Sequence, residues 1–190
     1  MAGIGHNGGP TIEAGYGWRK HAWSKARKQL LPNTVPLEIV RLRVKRAQEL
    51  GLDYRTYASI RAASGHDVVA FLFSGNALEL TPRRVAVPDT VASRLSALDG
   101  AADRIAAVYA PAHPVSVDHA NPGLFDHIGA APGFTESWRG MRDRLVEALR
   151  ASNARPDGVV LVSATAVERE WCAAGKLAGI IPADRFFGTA

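Results

Sequence analysis

The sequence predicts an α/β chain: a basic helical N-terminal part of about three helices, followed by a small sheet with at least two buried strands flanked by helices. Three observations lead there. Up to residue 65 apolar residues recur at helical spacing. Beyond it come two short, continuous, β-branched apolar runs, VVAFLF at 68–73 and GVVLVS at 158–163, which read as strands buried on both faces. Both runs also end alike, in FLFSGNALE (71–79) and VLVSATAVE (160–168), where Ser, a small residue, Asn or Thr, and a Glu three residues on suit the exit from a strand.

Taken in order, residues 1–17 are glycine-rich without apolar periodicity and read as a flexible tail. Residues 18–65 form the basic helical segment and 66–190 the α/β segment, packed together as one unit. Trp18, Ala22, Ala26 and Leu30 make the stripe of a first helix, and Pro32 and Pro36 separate it from a second over 37–50. Gly51 ends that helix, Asp53 caps a third that buries Tyr57 and Ile60, and Gly65 closes it. RVAV (84–87) suggests a short strand, and Val91, Leu95, Leu98, Ala102, Ile105 and Tyr109 suggest one helix over 91–109. Residues 111–134, rich in Pro, Gly, His and Asp, read as a long irregular loop; a helix over 135–151 and another through Cys172 complete the pattern.

At 47% hydrophobic and 22% charged residues the composition is that of a globular protein. No apolar stretch approaches the roughly 20 residues that span a bilayer, and MAGIGHNGGP has no charged region followed by an apolar one, so a cytoplasmic, membrane-free protein is expected. The single cysteine, Cys172, excludes an internal disulfide and reads as a packing group. The net charge of +5 is unevenly spread: residues 1–62 hold 11 Lys and Arg against 4 Asp and Glu, and the remainder carries a net −2. That asymmetry points to a polyanionic partner such as DNA; a second copy of the chain is the other expected partner.

RAQELGLDYRTYASIRAASG (46–65) carries the sharpest local pattern. Ala47 is small where two helices meet, Leu50 and Leu52 flank the Gly51 turn, and Ile60 anchors the second helix. The segment resembles the helix-turn-helix of bacterial DNA-binding regulators, with Tyr57 and Arg46 departing from it where apolar residues are usual. The resemblance implies Arg55, Thr56, Ser59 and Arg61 as base or phosphate contacts, with Arg41 and Lys45 on the basic helix ahead gripping the backbone. Trp18 and Trp23, interleaved with Arg19, Lys20 and His21, could stack bases but read first as packing residues.

A second reading places an enzyme or a small-ligand site, for a phosphate- or carboxylate-bearing molecule, at the carboxyl ends of strands 68–73 and 158–163. Ser74, Asn76, Ser163 and Thr165 are its binding candidates, with Glu79 and Glu168 completing capping boxes. The 111–134 loop would cover the site and offers Asp118, His119, Asp126 and His127 as candidate acid–base residues. No tight metal-ligand spacing occurs and no cofactor is implied. Gly3-x-Gly5-x-x-Gly8 has the dinucleotide spacing but no strand before it, and no Gly-x-Ser-x-Gly surrounds Ser74 or Ser163. Phe186 and Phe187 could dock a partner protein. Wing formation by a hairpin over VVAFLF-SGN-ALEL would favour the nucleic-acid reading; two strands ending at one edge of a sheet would favour the ligand reading.

Overall fold

The computed structural model describes residues 18, 20–25 and 35–188. The predicted tail, its Gly3, Gly5 and Gly8, and the stretch 26–34 lie outside the described residues. The chain divides into two compact units, residues 1–40 and 41–190. In the first, residues 20–25 are helical, and Trp18 and Trp23 are 75% and 72% exposed rather than packed. The helix α1 (Leu37–Glu49) runs from the first unit into the second. Among the described residues no helix is long and apolar enough to cross a membrane.

The second unit is an α/β fold built on a five-stranded, wholly parallel sheet in the order β3-β2-β1-β4-β5. Its strands are β1 (Ala70–Ser74), β2 (Asp103–Val108), β3 (His127–Ala130), β4 (Val159–Ser163) and β5 (Gly179–Pro182). The helices after α1 are α2 (Tyr54–Ser64), α3 (Asp89–Ser96), α4 (Pro114–Ala120), α5 (Trp138–Ser152), α6 (Arg169–Gly175) and α7 (Ala183–Phe187). Strand side chains alternate between two cores. Phe71, Phe73, Ala106, Val108, Val160 and Val162 face the end of α1, α2, α3, α4 and α7. Ala70, Leu72, Ile105, Ala107, Val159 and Leu161 face α5 and α6, through Met141, Leu145 and Trp171. Two covered faces explain why β1 and β4 are apolar at every position before their final serines.

Ala47, Leu50, Leu52, Tyr57 and Ile60 are buried as the α1–turn–α2 pattern requires, and Gly51 takes φ +62° at the turn. Both departures from the helix-turn-helix pattern have a use. Arg46 donates from Nε to Asp67 (3.0 Å) and from one terminal nitrogen to the carbonyls of Val68 and Ala101 (3.0 Å each). Tyr57 donates its hydroxyl to Asp67 (2.7 Å). Burial pushes the Asp67 carboxyl up, but the bonds from Tyr57 and the Val68 N–H, with the Arg46 charge, hold it below its usual range. The α1–α2 pair is therefore tied to the entrance of β1, and Ile60 packs on Gly179 of β5, where a Cβ would stand only 3.2 Å away.

The structure corrects the sequence reading at several places. The helix expected over 91–109 is α3, a turn with Gly100 at φ +70°, and then the strand β2, which lies between β3 and β1. Within DRIAAV it is Ile105 that prolongs the helical stripe, by coincidence, while the run is a strand buried on both faces. The loop expected over 111–134 contains α4, opened by His113 and Pro114, and the four-residue edge strand β3, both too short to show a period. No strand forms at 84–87; only Thr81 and Arg84 bridge. The VVAFLF hairpin does not form either, because β1 lies between β2 and β4. Phe186 is 2% exposed among Phe71 and Phe73, so it is core rather than a docking element.

Asp53 caps α2, accepting from the Thr56 N–H (2.9 Å) and hydroxyl (2.6 Å) and from Arg185 (3.0 Å). The Thr56 hydroxyl, the Thr56 N–H and Arg185 together lower its carboxyl to about 2. A depressed carboxyl binds its proton less readily when folded, so its stabilisation is complete above its unfolded value of about 4 and fades as the pH falls toward 2. Asp53→Ala should cost about 1 kcal/mol in urea unfolding at pH 7, and the gap from wild type should close between pH 4 and pH 2. A gap that does not change with pH would contradict the cap.

Candidate functional site

Because β4 pairs with β1 on the side away from β2, the strand order reverses between β1 and β4, and their exits lie side by side at the carboxyl edge. Ligands of open α/β sheets gather at such a point. Ser74 and Ser163, each the last residue of its strand, lie on the same face of the sheet, the one that carries α5 and α6.

The two exits, alike in sequence, differ in structure. After β4 the expected capping box forms: Thr165 Oγ1 accepts from the Glu168 N–H (3.4 Å) and Glu168 Oε2 from the Thr165 N–H (3.0 Å). After β1 it does not. Ser74 Oγ accepts from the Ala77 N–H (3.1 Å), the chain makes a single turn before Pro82, and Glu79, at φ +54°, pairs with Arg84 (3.1 Å). Asn76 turns instead across the sheet edge and donates to Glu168 Oε1 (2.8 Å).

Glu168 thus gathers the edge. Its side chain is fully buried, Oε2 also accepts from the Ala164 N–H (2.8 Å), and Oε1 accepts from the Tyr109 hydroxyl (3.1 Å). Four donors satisfy this carboxylate, which makes no ion pair among the described residues. Burial, then the neighbouring Glu168 charge, pushes the Tyr109 hydroxyl well above its usual range, so it stays protonated as a donor. The two N–H groups at the β4 exit, the natural seat of a ligand anion, are occupied by the chain's own carboxylate.

Open space lies one strand over. Tyr109 follows β2, stacks on Phe134 (ring centroids 4.9 Å apart, planes 6° apart) and leans on the buried Trp171 (5.7 Å). The two stacked rings border a cleft of about 440 Å³, lined also by Ala110, Ala112, His113, Pro114, Ala131, Glu136 and Arg144. A smaller hollow of about 180 Å³ adjoins it, reaching Gly75, Asn76 and Thr81. The cleft sits at the carboxyl ends of β2 and β3, between the two ends of the 111–134 segment. At the opposite edge of the sheet a hollow of about 380 Å³ is lined by His66, Asp67, Val69, Asp103, Asn153 and Asp157 among others.

The other candidates fall elsewhere. Asp118, Asp126 and His127 line a hollow of about 240 Å³ beside β3, and His119 is exposed on α4, away from it. Asp126 is held by Arg104, through Nε (3.0 Å), a terminal nitrogen (3.0 Å) and the backbone N–H (2.7 Å), which keeps its carboxyl below the usual range. Among the described residues no group of three His, Cys, Asp or Glu is placed to hold a metal ion. Of the implied nucleic-acid contacts, Arg41, Lys45, Arg55 and Ser59 are exposed, whereas Thr56 is buried against Asp53 and Arg185, and Arg61 pairs with Asp67 (3.4 Å). Cys172 is half-buried, and burial raises its thiol.

The chain matches no family model, no curated protein and no solved structure with which it was compared. The cleft therefore speaks through its own residues. Sequence reasoning missed Tyr109, placed at the end of a helix, and Phe134, placed in a loop; their one signal is that aromatic rings bracket the Pro- and Gly-rich segment.

Glu168→Ala leaves four donors without an acceptor and should cost about 4 kcal/mol. Glu168→Gln sets an amide NH₂ against donors and should cost about 2 kcal/mol. Acetate should raise the melting temperature of Glu168→Ala and leave wild type unchanged; equal effects on both would contradict the role of the carboxylate.

Proposed function

We propose that the chain is a small-molecule-binding α/β protein whose site is the cleft at the carboxyl ends of β2 and β3, between Tyr109 and the 111–134 segment. One observation carries the reading: a parallel aromatic pair, its inner ring fixed by Glu168 and Trp171 and its outer ring exposed, borders a cleft of ligand size at the functional edge of the sheet. Binding rather than turnover fits the residues. Among the described residues neither Ser74 nor Ser163 is hydrogen-bonded to an imidazole or a carboxylate that could activate it. The nucleic-acid reading keeps four exposed candidates, while Thr56 and Arg61 serve the fold itself.

The test is to map amide shifts of the ¹⁵N-labelled protein against a library of small aromatic fragments. Binders should move Tyr109, Ala110, Ala112, Gly133 and Phe134, and Phe134→Ala should weaken them about tenfold, roughly the 1.4 kcal/mol expected for an aromatic stack. A silent cleft, together with duplex binding that falls steeply with salt and is weakened by Arg41→Ala with Arg55→Ala, would favour the nucleic-acid reading instead.

A further inference from the structure

We propose that the cleft takes a planar aromatic acid, its ring laid against Phe134 and its carboxylate on the free end of Arg144. The inference rests on the cleft being a ligand site and names the chemistry it selects.

The aromatic half comes from the stack. Trp171 is 1% exposed, Tyr109 partly buried and Phe134 67% exposed, so three rings in contact run from the core to the mouth of the cleft. Phe134 has one face on Tyr109 and leaves most of its surface to solvent. A flat ring extends such a stack by offset contact, burying apolar area on both partners. At about 440 Å³, with Ala110, Ala112 and Ala131 as small walls, the cleft admits one or two fused rings.

The acid half comes from which polar atoms are available. Arg144 donates Nε to Glu136 Oε1 (2.6 Å); its side chain is 46% exposed, and its terminal nitrogens make no hydrogen bond among the described residues. Glu136 Oε2 is buried and has no hydrogen-bond partner in the protein. The guanidinium offers a ligand two parallel N–H groups suited to a carboxylate. His113 adds a second donor: its Nδ1 accepts from the Val115 N–H (3.3 Å), which leaves the proton of a neutral ring on Nε2. Arg144 and His113 thus bring donors to the apolar walls, a match for an anionic ring compound.

The experiment titrates the full chain with 2-naphthoate and with neutral 2-naphthamide by calorimetry at equal ionic strength. Naphthoate should bind at least tenfold more tightly. Arg144→Gln should abolish that preference, Arg144→Lys should keep part of it, and Phe134→Ala should weaken both compounds. Equal binding of the two, unaffected by Arg144→Gln but weakened by Phe134→Ala, would overturn the acid while leaving the cleft as a site. Binding of neither would overturn both.

Discussion

The carboxyl edge of this sheet depends on one buried charge. Glu168 has no exposed surface, and leaving a carboxylate there without partners would cost far more than the fold could offset. Its four hydrogen bonds come from the chain after β4, from Asn76 after β1 and from Tyr109 after β2, so three strand exits close on one side chain. The reversal of strand order brings Asn76 and Glu168 together across 92 residues. Removing the acceptor frees donors in all three segments at once, which makes the group a geometric constraint rather than a local cap.

This constraint also decides where a ligand can go. The N–H groups after β4 would attract a phosphate or a carboxylate, and Glu168 already lies there as an internal counterpart of such an anion. What remains open is the flank. By binding the Tyr109 hydroxyl, Glu168 sets the ring that Phe134 stacks upon, and so fixes one wall of the cleft from behind. Asp67 does comparable work at the amino edge, where Arg46, Tyr57 and Arg61 bind α1 and α2 to the start of β1. Two of the basic residues of the 46–65 segment, Arg46 and Arg61, are thereby used to hold a sheet.

Much of the fold was legible where a local rule is strong. Asp53 and Gly65 bound α2, the runs ending in Ser74 and Ser163 are strands, and Thr165 with Glu168 makes its capping box. β2 was not legible, since its central alanines suit a helix as well as a strand pressed between two layers. β3, four residues with a glycine, is too brief for any period. The candidate site was half visible. Asn76 and Glu168 were recognisable as cap-forming residues, but a hydrogen bond between two such residues is a fact of topology that no local spacing carries. Tyr109 and Phe134 become a pair only once β2 and β3 are known to be neighbours.

Amide hydrogen exchange at Ala164 and Thr165, followed as inorganic phosphate is added, most directly asks whether Glu168 fills the anion position. If it does, both amides exchange as slowly as those of β4 and phosphate changes nothing. Rapid exchange that phosphate suppresses would show an open anion site at the β4 exit and contradict the placement of ligand binding at the Tyr109–Phe134 cleft.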